Sequence, residues 1–102
     1  ILLGVIPNIK QQTIPNIIDS YAIVDIYILP DCPWSKRSLR LLDSYHINYN
    51  YYLINSDEDF KKINDRTSFN TFPQIFIRNE FIGGYSELVE LSNNGNLNKL
   101  IN

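Results

Sequence analysis

The stretch from Ala22 to Leu29, "AIVDIYIL", limits the possible folds more than any other part of this chain. A continuous, β-branched apolar run of this length suits a central strand, buried on both faces of a sheet. Pro30 ends it, so Cys32, the only cysteine present, sits just past a strand end. In the following "WSKRSLRLLDSYH", helical spacing puts Leu39, Leu42 and Tyr45 on one face, with Lys36, Arg37 and Arg40 mainly on the other. The local unit is strand, short loop, helix, with a thiol at the turn.

The rest of the chain extends this unit. "INYNYYLIN" alternates imperfectly, as a second strand would, and Asp57 to Arg66 begins acidic and ends basic, the polarity a helix dipole prefers. A polar loop, "TSFNT", leads to Phe72 and Pro73. "QIFIRNEFIGG" then reads as an antiparallel hairpin around Arg78-Asn79-Glu80. "YSELVELSNNGNLNKLIN" predicts two short helices split at Asn93-Asn94-Gly95, the first opened by Ser86 as N-cap. Pro15 to Tyr21 forms a further helix-like fragment. A parallel start and a hairpin finish imply an α/β fold with a mixed sheet and helices on both faces.

The totals fit one domain: 102 residues, 44% hydrophobic and 20% charged. A net charge of −2 gives no electrostatic reason to expect nucleic acid. "ILLGVIPNI" is broken by Pro7 and lacks a basic flank, so it is too short for a membrane span and poorly built for a signal peptide. Residues 1–13 are read as an N-terminal extension and 14–102 as the domain. One cysteine cannot build a disulfide framework, which favours the cytoplasm as a reducing compartment. His46 lies about 14 positions beyond Cys32, at ~1.5 Å per residue too far along the helix to act as its base. The spacing of His, Cys and Asp residues matches no zinc site, and no metal is expected.

Three separated features occur in order: Cys32-Pro33-Trp34-Ser35 at the first strand-to-helix turn, Thr71-Phe72-Pro73 before the hairpin, and Gly83-Gly84-Tyr85-Ser86-Glu87 after it. Together they resemble the glutaredoxin family, whose usual patterns are Cys-Pro-Tyr-Cys, Thr-Val-Pro and Gly-Gly followed two residues later by an acid. The resemblance implies a thioredoxin fold, with a central four-stranded mixed sheet flanked by helices on both faces. It further implies a glutathione-disulfide oxidoreductase, with glutathione as cosubstrate and glutathionylated proteins as partners. A monomer is expected.

The resemblance assigns roles residue by residue. Cys32 at a helix start is the nucleophile, Pro33 presets the turn, and Trp34 shields one side of the sulfur. Ser35 holds the position of the resolving cysteine and cannot attack a mixed disulfide, which leaves a one-thiol route through Cys32 bound to glutathione. Its hydroxyl can still donate to the thiolate. Pro73 matches the family's cis-proline, with Thr71 and Phe72 presenting backbone to the cysteinyl segment of glutathione. Gly84 allows close approach, while Tyr85, Ser86 and Glu87 at a helix start would hold the γ-glutamyl end.

Two positions depart from the pattern. Many members carry lysine or arginine three residues before the cysteine, where this chain has Leu29, and Asp31 adds a negative charge that works against a thiolate. Lys36, Arg37, Arg66 and Arg78 are candidates to compensate. Two other readings follow. One is an iron–sulfur cluster carrier built from a dimer and two glutathiones, against which Pro33 and Leu29 argue. The other is a non-catalytic binding module of a longer chain, drawing on Leu29, Asp31 and the absence of methionine.

Overall fold

The computed structural model describes residues 22–101. The N-terminal extension 1–13 and the helix-like fragment Pro15 to Tyr21 lie outside the described residues. Within them, β1 (Val24–Ile28), α1 (Pro33–Ser44), β2 (Tyr49–Leu53), α2 (Asp57–Thr67), β3 (Gln74–Ile77), β4 (Glu80–Gly83), α3 (Tyr85–Asn93) and α4 (Asn96–Ile101) follow in order. The sheet runs β2-β1-β3-β4. Strand β2 is parallel to β1, while β3 is antiparallel to both β1 and β4. Parallel strands need a crossover, which α1 supplies, and antiparallel β3 and β4 close in a tight turn. That turn is Arg78-Asn79, both at positive φ (53° and 68°), and Glu80 belongs to β4.

Strand β1 is central, but its two faces differ. Val24, Ile26 and Ile28 are fully buried, whereas Asp25 and Tyr27 are half-buried. The first set joins Leu39, Leu42, Tyr49, Tyr51, Ile75, Ile77, Leu88 and Leu97 in the main core, between the sheet and α1, α3 and α4. The second set faces the α2 side, where Ile54, Ile63, Phe72 and Phe76 form a smaller core packed by Tyr27 and Phe81. Asp25 interrupts the apolar run at no isolated cost because its Oδ1 accepts from Asn50 Nδ2 (3.0 Å) and the Tyr52 hydroxyl (3.3 Å). The tyrosine-rich β2 is strand packing, and the Tyr52 ring stacks on Tyr27 with centroids 4.7 Å apart.

The helix boundaries follow local chemistry. Ser56 caps α2 by accepting from the Asp59 N–H (3.1 Å), three acids fill its first turn, and Arg66 lies in its last. Leu39 and Leu42 are buried as their spacing predicts, but Tyr45 is exposed: α1 ends at Ser44, so the helical period stops before reaching it. Ser86 is likewise not the cap of α3. Gly84 takes that position, and Ser86 lies in the first turn. No helix among the described residues is long and apolar enough to cross a membrane.

Burial holds the Tyr27 and Tyr52 hydroxyls above the ordinary tyrosine value of 10.0, and the Asp25 charge adds to this; for Tyr27, Arg66 opposes it in part. The unfolded chain therefore ionises these groups first. Their contribution to stability is fully present below pH 10 and is lost as the pH rises from there through the higher folded values. Urea unfolding midpoints should fall steeply above pH 10, and Tyr52→Phe should flatten the decline; an unchanged slope would count against this account.

Candidate functional site

The antiparallel pairing of β1 and β3, with Tyr27 opposite Gln74, sets the end of β1 beside the start of β3. The loop leaving β1 and the loop entering β3 therefore meet. Cys32 is the N-cap of α1, with Pro33 in the first turn, and the residue is half-buried. Its Sγ lies 3.9 Å from the Phe72 carbonyl oxygen, within reach of a weak S–H donor. The Phe72-Pro73 peptide bond is cis, as the resemblance implied.

Gln74 was not singled out from sequence, yet it fixes this loop. Fully buried, it accepts from the Thr67 hydroxyl (2.7 Å) and donates to the carbonyls of Phe69 (2.8 Å) and Thr71 (3.2 Å). Its hydrogen bonds tie α2 to the turn that presents Thr71, Phe72 and Pro73. The available signal was a glutamine opening an otherwise apolar strand directly after Pro73.

The glycine pair closes the site from the other side. Gly83 has φ +118°, and a Cβ there would stand 2.6 Å from Glu87 Cγ. A Cβ on Gly84 would stand 3.1 Å from the Pro73 carbonyl oxygen, so these two loops approach backbone to backbone. Glu87 folds back, and its Oε1 accepts from the Gly84 N–H at 2.7 Å. The acid thus secures the start of its own helix, as a first-turn carboxylate does. Tyr85 begins α3, and its ring lies 5.5 Å from that of Trp34, which joins α1 and α3. Ser86 is exposed on the same turn.

Ser35, one turn after Cys32, is 1% exposed, and its Oγ has no hydrogen-bond partner among the described residues. The candidate compensating cations separate clearly. Arg66 sits over the Phe76 ring (4.2 Å) on the α2 side, and Arg78 donates to the Leu100 and Ile101 carbonyls. Neither is placed at Cys32. Arg37 lies over the Trp34 ring at 4.6 Å, adjacent to the site, and Lys36 is exposed on α1. His46 is exposed beyond the far end of α1.

A thiol at the N-cap of the first helix, facing a cis-proline loop that opens an antiparallel hairpin, defines a thioredoxin-fold thiol protein. The Glutaredoxin family model matches residues 24–82, and the chain belongs to that family. It is 37% identical over 87 residues to Glutaredoxin 1 of Rickettsia bellii, covering 79% of this chain and 87% of the relative. It is 34% identical over 82 residues to Glutaredoxin-2 of Schizosaccharomyces pombe, covering 76% and 74%. The solution structure of glutaredoxin from Brucella melitensis superposes with a TM-score of 0.70 at 33% identity, covering 78% of this chain and 88% of that one. The crystal structure of a buckwheat glutaredoxin-glutathione complex shares the fold, with a TM-score of 0.72 at 20% identity, covering 78% and 76%.

Gly83→Ala should lose ~1–3 kcal/mol, because it combines a backbone conformation open mainly to glycine with a collision against Glu87. Gly95→Ala, also at positive φ but with nothing within 4 Å, should lose less. Urea denaturation of both variants tests this, and equal losses would remove the Glu87 contact from the explanation.

Proposed function

We propose that this chain is a glutathione-dependent thiol–disulfide oxidoreductase that reduces glutathionylated mixed disulfides through Cys32 alone. The observation that carries the reading is the half-buried Cys32, its sulfur set against the Phe72-Pro73 loop, in a sequence with no second thiol. In the first step the Cys32 thiolate attacks the glutathione sulfur of the substrate disulfide. A Cys32–glutathione bond forms, the substrate sulfur leaves as a thiolate, and a proton from solvent neutralises it. A second glutathione thiolate then attacks the glutathione sulfur held on Cys32, releasing oxidised glutathione and restoring the Cys32 thiolate.

The residues around the sulfur support these steps. The first-turn N–H groups of α1 that lack intrahelical acceptors are donors beside Cys32, the N-cap of that helix. The buried Ser35 hydroxyl, without a partner among the described residues, is a free donor one helical turn from Cys32. The Phe72 backbone pairs with the cysteinyl part of glutathione as an added strand would, and Thr71 and Pro73 hold that backbone in place. The first turn of α3, with Tyr85, Ser86 and Glu87, receives the γ-glutamyl end, while Gly84 keeps the approach open. The cytoplasm remains the proposed compartment, in keeping with a single free thiol.

Glutathione-dependent reduction of a glutathionylated peptide should fall by at least ~100-fold in Cys32→Ser, since the nucleophile itself is removed. Turnover that survives the substitution would sink the proposal. Ser35→Cys places a second thiol one turn from the first, within the span a disulfide allows. Mass spectrometry of the oxidised variant should then show an intramolecular disulfide in place of the Cys32–glutathione adduct. Persistence of the adduct as the main species would show that the Ser35 position cannot reach Cys32.

A further inference from the structure

The segment 68–73 between α2 and β3 brings the Phe72 backbone to the thiol, yet it belongs to no helix or strand that would hold it. Side chains hold it instead, each at a different place. From α2, Asn64 Nδ2 donates to the Phe69 carbonyl (2.9 Å) and to the Asn70 side-chain oxygen, and the Thr67 hydroxyl accepts from the Phe69 N–H (3.1 Å). From β3, Gln74 Nε2 reaches further along the loop, donating to the carbonyls of both Phe69 (2.8 Å) and Thr71 (3.2 Å). Among the described residues, Gln74 is thus the side chain that fixes the carbonyl directly before Phe72.

Fixing the Thr71 carbonyl also aims the group behind it. The Phe72-Pro73 bond is cis, but the Thr71-Phe72 peptide is a planar trans unit, in which the Thr71 C=O and the Phe72 N–H point in opposite directions. Gln74 is fully buried, so a Thr71 carbonyl turned toward its amide turns the Phe72 N–H away from the interior. That N–H has no backbone acceptor among the described residues, while the next carbonyl, that of Phe72, faces Cys32 Sγ at 3.9 Å. Phe72 therefore offers the donor and the acceptor that an added strand needs.

We infer that Gln74 is a positioning residue for glutathione: by binding the Thr71 carbonyl it holds the Phe72 N–H toward the cysteinyl segment, and so sets how strongly Cys32 favours glutathione disulfides over other small disulfides. The inference rests on the pairing of glutathione with the Phe72 backbone in the proposed function and names the residue that orients that backbone. Without the Gln74 amide, the Phe69 carbonyl keeps Asn64 and the Thr67 hydroxyl keeps the Ile63 carbonyl (3.1 Å), but the Thr71 carbonyl loses its partner. Thr71 is exposed, so its carbonyl then turns to water and the peptide plane turns with it. Attack by the Cys32 thiolate on a disulfide that offers no peptide backbone does not use that N–H and keeps its rate.

The test compares two mixed disulfides of one cysteine peptide, formed with glutathione and with 2-mercaptoethanol. Reduced protein reacts with each in a single turnover, release of the peptide thiol is followed by reverse-phase chromatography, and each rate is divided by that of free cysteine with the same substrate. The ratio of the corrected rates is the glutathione preference. Gln74→Met, similar in volume but without the amide, should lower this preference about fivefold or more, the scale of the hydrogen bonds lost, with the mercaptoethanol rate held within about twofold. Thr67→Val removes the hydroxyl that donates to Gln74 Oε1 and should lower the preference about twofold. Leu97→Ala, in the main core on α4, should lower the urea midpoint and leave the preference unchanged. A fall shared equally by both substrates in Gln74→Met would make Gln74 a purely structural residue and overturn the inference. Where Gln74→Met does not fold, Thr67→Val decides, and an unaltered preference there overturns it as well. A chain of the original sequence with no glutathione preference overturns the pairing in the proposed function and the inference with it, whereas a clear preference that both substitutions retain overturns the inference alone.

Discussion

Everything at the site depends on the antiparallel pairing of β1 with β3. Because the two strands run in opposite directions, the loop that leaves one must lie beside the loop that enters the other. The Val24–Ile77 and Tyr27–Gln74 pairs fix this register, and with it the 3.9 Å approach of Cys32 Sγ to the Phe72 carbonyl. A slip of one residue would turn Ile75 and Ile77 out of the main core and Phe76 into it, which the apolar packing opposes. The hydrophobic core thus sets the geometry of the thiol through Phe72, one of its own members.

Much of this was legible in the sequence because the informative features are local. A strand ended by Pro30, a Cys-Pro at a helix start, a Phe-Pro before a hairpin and a glycine pair before a helix are each contiguous. Their order along the chain fixes the topology. Errors arose where a local rule met a boundary set elsewhere. Helical spacing extended to Tyr45, but α1 stops one residue earlier. Serine is a favoured cap, yet the Glu87 carboxylate bound to the Gly84 N–H starts α3 before Ser86 can serve. Asp25 did not spoil the strand because Asn50 and Tyr52, distant in sequence, supply its hydrogen bonds.

The features that sequence reasoning missed are tertiary. Gln74 reads as one polar residue in a strand until its hydrogen bonds to Thr67, Phe69 and Thr71 are seen. Phe60 reads as a helix residue of no special note, since nothing local predicts that α2 will set it against Phe72. Leu29 drew attention as an absent cation. With Leu29 exposed at the end of β1 and Trp34 half-exposed on the first turn of α1, the stretch around Cys32 carries apolar surface where that charge would stand.

A single thiol changes what that surface has to do. With a second cysteine at the Ser35 position, a mixed disulfide could be resolved from within the protein, and the partner would be expelled whatever its flanks. In the proposed route a hydroxyl stands there, so the mixed disulfide with glutathione persists until an external thiol arrives, and the held glutathione and the incoming thiol share one opening. The cis-proline loop faces the sulfur through the Phe72 carbonyl, and the half-exposed Trp34 follows Cys32 on the first turn of α1. With Ser35 at that position, the proposed route leaves the step that a second thiol would have driven to an external thiol that reaches the first.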